Sequence, residues 1–109
     1  MTELIRRTRA LGAEAIIVTQ KRGNWRRERG KLLFARKPDG APDISEYAET
    51  ILFNRAAMAA CWKANAICID LGSEIEFEPG DFYDRVHTTP QGSARIAEFL
   101  FARLKDKVR

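Results

Sequence analysis

The sequence predicts an α/β fold in which parallel strands alternate with helices. Two short apolar runs rich in β-branched residues, "AEAIIVTQ" and "AICIDL", read as buried strands of the kind a parallel sheet demands. Segments with helical spacing lie before, between and after them. Strands separated by helices join as parallel neighbours through right-handed crossovers.

Each element has its own signal. Leu4, Ile5, Thr8 and Leu11 follow helical spacing, and Gly12 supplies the stop. "AEAIIVTQ" follows as the first strand. A long helix is expected from Pro42 and Asp43, where Asp43 and Glu46 have capping-box spacing. Ile44, Tyr47, Ala48, Ile51, Leu52, Met58, Ala59 and Trp62 give it one apolar face through about Ala64. Asn65 tolerates the left-handed conformation that ends a helix. "AICIDL" is the second strand, and "GSEIEFEPGDFYDRVH" reads as a loop turned by Pro79 and Gly80. The last helix opens with Thr89 as N-cap and Pro90 at the first helical position, with Ala94, Ala97, Leu100, Phe101, Leu104 and Val108 facing inward.

Composition sets the class. A chain of 109 residues, 45% apolar and 31% charged, reads as a single soluble domain rather than a disordered segment. No apolar run approaches the ~18 residues of a membrane span. "MTELIRRTRALG" lacks the continuous apolar core of a secretory signal, so the expected location is cytoplasmic. Cys61 and Cys68 fall in predicted core elements, and buried reduced thiols are favoured over a disulfide.

The net charge of +4 is uneven. Residues 21–40, "KRGNWRRERGKLLFARKPDG", set eight Lys and Arg against Glu28 and Asp39, so the remainder is mildly acidic. The stretch 21–43 is expected as a basic loop or insertion, in which "KLLFA" is either a short strand or an apolar anchor. Arginines around Trp25 would suit a phosphate backbone with a stacked base. The favoured reading is a solvated insertion that covers a crevice rim or attracts anionic substrates, because no nucleic-acid motif accompanies the charge.

"DFYDRVHTTPQG" carries the only histidine, His87, with Asp84 three residues before it. In a turn this spacing lets the carboxylate fold onto imidazole Nδ1 and leaves Nε2 outward as a base. The loop follows a strand, and in open α/β sheets such loops line the ligand crevice. The plainer alternative is a local bond that orders a turn. A metal site is not expected, since there is no second histidine and both cysteines belong to core elements.

"FYDRVHTTPQGSARIAEFL" resembles the final block of the SGNH (GDSL) hydrolase superfamily: an Asp-x-x-His loop, a Thr, a Gly, then a helix with an Ile-Ala step. "ALGAEAIIVTQ" is similar to a helix–strand unit ending in Val-Thr-Gln found in that superfamily, and "YAETILFNRAAMAACWKANAICIDL" to the long helix and Ile-Asp-Leu strand that follow. The resemblance implies a serine esterase or related acyl hydrolase without metal or organic cofactor. His87 would be its general base and acid, with Asp84 orienting the ring. It further implies a flavodoxin-like sheet of about five parallel strands in the order 2-1-3-4-5, of which this chain holds the last two.

The other blocks of that superfamily do not map onto this sequence. Ser45 and Ser93 read as helix-start residues, and Ser73 in "DLGSEIE" has no Gly-Asp-Ser context. Asn24, Asn54 and Asn65 lack the Gly-x-Asn context, Gly23 and Asn24 being adjacent. The expectation is a partial three-layer fold, inactive alone, whose first strand has an uncovered edge. Such a chain would associate with itself or with the missing N-terminal half, the complete site taking a small-molecule ester. The alternative is a non-catalytic association module, or one that binds anions or nucleic acid.

Overall fold

The computed structural model describes residues 1–107, and Val108, expected on the inner face of the last helix, lies outside them. The fold is a small α/β one with both parallel and antiparallel pairing. In chain order it comprises α1 (Thr2–Ala10), β1 (Ile16–Val18), β2 (Trp25–Glu28), β3 (Lys31–Phe34), α2 (Tyr47–Lys63), β4 (Ile67–Ile69), α3 (Leu71–Glu74) and α4 (Pro90–Leu104). It divides into two compact units. One is Met1–Gln20 with Ala48–Glu74; the other is Lys21–Tyr47 with the chain from Ile75 onward.

The first unit is built on the expected parallel pair. β1 and β4 align Ile16 with Ile67, Ile17 with Cys68 and Val18 with Ile69. Gly12, at φ +83°, ends the first helix, and Asn65, at φ +54°, turns α2 into β4. Ile5, Ala57, Met58, Cys61, Ile69 and Leu71 are buried here, each large side chain contributing about 1.5–3 kcal/mol. Polar side chains close the C-terminal end of β1. Thr19 Oγ1 donates to Asp70 Oδ1 (2.7 Å) and accepts from the Gly72 N–H (2.8 Å). A Cβ on Gly72 would lie 2.5 Å from the Gln20 carbonyl oxygen, so this close approach admits only glycine.

Three expectations about the cysteines and α2 are corrected. Cys61 and Cys68 are not free thiols but a disulfide, with Cα atoms 6.0 Å apart. The turn at Asn65 lays the last turn of α2 beside β4, within the reach of a bridge. Disulfides persist in oxidising compartments, so a cytoplasmic placement draws no support from the cysteines. The helix from Asp43 starts instead at Tyr47. Asn24 Nδ2 holds the carbonyls of Asp43 and Ser45 (3.1 and 2.9 Å), Asp43 Oδ1 accepts from the Ser45 N–H, and Glu46 stands at φ +62°. Carbonyls drawn to Asn24 leave no capping box. Finally, Leu52 and Trp62 are exposed, and the buried face of α2 runs through Thr50, Asn54, Ala57, Met58 and Cys61. The helix is apolar nearly all round, so periodicity alone selects no face.

The second unit holds a finding the charge pattern concealed. The segment expected as a basic loop contains an antiparallel hairpin, with β2 and β3 pairing Trp25 with Phe34 and Glu28 with Lys31. Arg29 and Gly30 form its two-residue turn, both at positive φ (51° and 80°), the turn whose twist suits a hairpin. Tyr47 meets both Trp25 and Phe34 edge-on, at 5.1 and 5.3 Å between centroids, and Trp25 is buried. In α4 the expected N-cap is present: the Gly92 N–H donates to Thr89 Oγ1, with Pro90 at the helix start. Its expected inner face is shifted, because Ala94, Ala97 and Phe101 are exposed. Arg95, Ile96, Phe99, Leu100 and Leu104 are partly covered.

Candidate functional site

The site is a short closed loop in the second unit. Phe82 and Thr88 form an antiparallel bridge, and the Tyr83 N–H donates to the His87 carbonyl (3.1 Å). Within this loop the Asp84 carboxylate divides its two oxygens. Oδ1 accepts from the backbone N–H groups of Val86 (2.8 Å) and His87 (2.7 Å), which winds the turn. Oδ2 lies 2.8 Å from His87 Nδ1. The Val86 and His87 N–H groups, with the imidazole behind them, hold the Asp84 carboxyl down at about 2. A carboxylate beside Nδ1 favours the tautomer that carries its proton on that nitrogen. The His87 side chain is 61% exposed and stacks on the Tyr83 ring at 5.5 Å and 16°.

Both residues singled out from the sequence, Asp84 and His87, are thus brought together, and no hydrogen bond holds His87 Nε2 among the described residues. No hydrogen bond joins His87 to a serine among the described residues. Ser93 Oγ lies instead against Thr88 Oγ1 (2.6 Å), Ser45 spans the turn before α2, and Ser73 sits in α3 of the other unit. Nor does any group of three or more His, Cys, Asp or Glu gather to hold a metal among the described residues. No helix among them is long and apolar enough to cross a membrane.

Two supports of the loop were not visible in the sequence. On one side is Asp81, fully buried. Its carboxylate accepts from the Glu78 N–H (2.8 Å), Gln91 Nε2 (2.7 Å) and Arg95 Nε (2.7 Å), and its carbonyl accepts from the Thr89 N–H (2.9 Å). Burial pushes this carboxyl up, but those donors outweigh it and hold it below the usual carboxylate range. A Cβ on Gly92 would fall 2.0 Å from the Asp81 carbonyl oxygen, so α4 is seated directly on this residue.

On the other side is the root of the hairpin. The Gly23 N–H donates to the Arg85 carbonyl at 2.8 Å. Lys21 is enclosed beside it, donating to the carbonyls of Arg22 and Trp25 over the Trp25 ring, and burial pushes its pKa down to about 8. A cleft of about 550 Å³ separates hairpin residues 26–29 from residues 76–79 and Arg95. Within it Arg26 pairs with Glu28 (2.8 Å) and Arg95 with Glu78 (3.1 Å).

Comparison with protein-family models, curated proteins and solved structures finds no match. The likeness to the SGNH hydrolases therefore rests on the blocks quoted from the sequence and on nothing beyond them.

Proposed function

We propose that this chain carries the Asp–His part of an SGNH-type serine hydrolase centre, with the nucleophile and oxyanion donors supplied from outside it. The observation that carries this reading is the contact of Asp84 Oδ2 with His87 Nδ1 in a loop that leaves the His87 side chain largely exposed. Such a pair takes the proton of a serine hydroxyl as that oxygen attacks an ester carbonyl, then gives it to the departing alkoxide. Water, deprotonated by the same nitrogen, releases the acyl group. Asp84 stays ionised throughout and stabilises the imidazolium. Within this reading the parallel pair β1–β4 is the last part of a flavodoxin-like sheet, and no cofactor takes part.

The test begins with the protein from its native source, treated with a fluorophosphonate probe and weighed intact. A singly labelled species longer than this sequence, or a labelled partner bound to it, supports the proposal. An unlabelled, unaccompanied chain of this length rejects it.

A second reading is favoured by one observation. Among the described residues β1 pairs only with β4, and Ile16 and Val18 are both 38% exposed beside its open edge. An uncovered edge with apolar flanks recruits another strand. Either the absent half of the sheet or a second copy would cover it, and sedimentation at micromolar concentration discriminates. A strict monomer removes self-association. Nucleic acid gains little from the structure, because Glu28, Glu76 and Glu78 line the hairpin cleft together with Arg26, Arg27, Arg29 and Arg95 and offset most of their charge. A gel shift at low salt checks it.

A further inference from the structure

We infer that the root of the basic hairpin, through Gly23, positions the Asp84–His87 pair; the inference rests on the reading of that pair given above. Three observations converge. The Gly23 N–H donates to the carbonyl of Arg85, at the tip of the dyad loop between Asp84 and Val86. A Cβ built on Gly23 would stand 2.4 Å from the Asp84 carbonyl oxygen and 2.6 Å from Phe82 Cβ, so the two backbones touch with no side chain between them. The conformation of Gly23 itself asks for no glycine, since its φ lies outside the left-handed region; the close approach does.

The root is in turn held firmly. Arg22 Nη1 pairs with Glu46 Oε2 at 2.9 Å, Asn24 Nδ2 ties down the carbonyls of Asp43 and Ser45, and Lys21 is enclosed against Trp25 and Phe77. Phe77 packs edge-on against Phe82, the first residue of the dyad loop, at 4.9 Å. The loop is therefore braced from the hairpin side by Gly23 and from the helix side by Asp81.

This arrangement assigns a role to the basic segment that its charge does not suggest. The turn that puts Asp84 Oδ2 on the ring exists only while Val86 and His87 present their N–H groups to Oδ1. The Arg85 carbonyl lies within that same turn. Fixing it fixes the peptide orientation of the turn, and so the aim of the carboxylate. Gly23 acts through Asp84 and is a positioning residue rather than a catalytic one.

The experiment is NMR on the whole chain, following two protons. In the unaltered protein the Gly23 amide should exchange at least about tenfold more slowly than an unbonded glycine amide. The His87 Nδ1–H should also give a resolved resonance. In Gly23→Ala that resonance should be lost. Gly30→Ala, which strains the far turn of the hairpin at φ +80° but has open space around it, should keep it. An unprotected Gly23 amide overturns the inference even if Gly23→Ala fails to fold. Retention of the Nδ1–H signal in folded Gly23→Ala overturns it too. Absence of the signal from the unaltered protein instead sinks the dyad reading itself, which keeps the two failures apart.

Discussion

The side chain of Asn54 binds the backbone of Gln20 twice, its Oδ1 accepting from the Gln20 N–H at 3.1 Å and its Nδ2 donating to the Gln20 carbonyl at 2.7 Å. A helix residue thereby completes the end of β1 as a neighbouring strand would. Asn54→Ala leaves both groups of Gln20 without that partner at a part-buried position. We expect a loss of about 2–3 kcal/mol, read as a lower urea midpoint at unchanged slope. An unchanged midpoint would show that water replaces the amide at no cost.

The buried carboxylate of Asp81 should make stability depend on acid. Its folded pKa lies below its unfolded value, as does that of Asp84, which is held at about 2. Both groups therefore add stability above the unfolded value near 4, and that stability is lost as pH falls through the folded values. Denaturant midpoints should decline from about pH 4 toward pH 2, and less steeply in Asp81→Asn. At neutral pH Asp81→Ala should cost about 2–4 kcal/mol, since Arg95 and Gln91 both lose their acceptor.

Thiol titration under denaturing conditions should find no free cysteine in oxidised protein. Opening the bridge as Cys61→Ala with Cys68→Ala should destabilise by about 2–3 kcal/mol, the value for a short closed loop. Two titrating thiols in protein never exposed to reductant would contradict the bridge.

Ester hydrolysis by this chain alone should be the same with and without His87→Ala, because no serine is bonded to the ring among the described residues. In the proposed assembly with an outside serine and oxyanion donors, Asp84→Asn should lower kcat about 10³–10⁴-fold through loss of the Nδ1–H tautomer, with little change in KM. Equal activity of Asp84→Asn and the unaltered chain in that complex would remove Asp84 from the mechanism.

Much of this was legible in the chain, for reasons that differ by element. β1 and β4 announce themselves as short β-branched apolar runs, although the burial expected of β1 is not met, Ile16 and Val18 being 38% exposed. Thr89–Pro90 is legible because capping is local chemistry. Asp84 and His87 were recoverable for the same reason: their contact spans three residues and needs nothing distant. Most of the features that escaped are tertiary, the β2–β3 hairpin being a local one hidden by its charge. Asn24 pulls Asp43 and Ser45 out of the helix they were expected to begin, from 19 and 21 residues away. Gly23 meets Arg85 across more than half the chain, and nothing in "RGNW" marks it. Cys61 and Cys68 looked like core thiols because each was read within its own element, whereas their bond belongs to the turn between them.

The division of the chain has a temporal consequence. Each compact unit is assembled from two stretches separated by part of the other, so neither is a contiguous piece that a ribosome delivers whole. Ile16 leaves the synthetic machinery long before Ile67, its partner in the parallel pair. At about 5–20 residues per second that interval lasts a few seconds. For that time β1 is an apolar segment with two open edges rather than one. A nascent chain of this kind needs shelter early, and translation speed between residues 20 and 67 becomes a variable in how much of it folds.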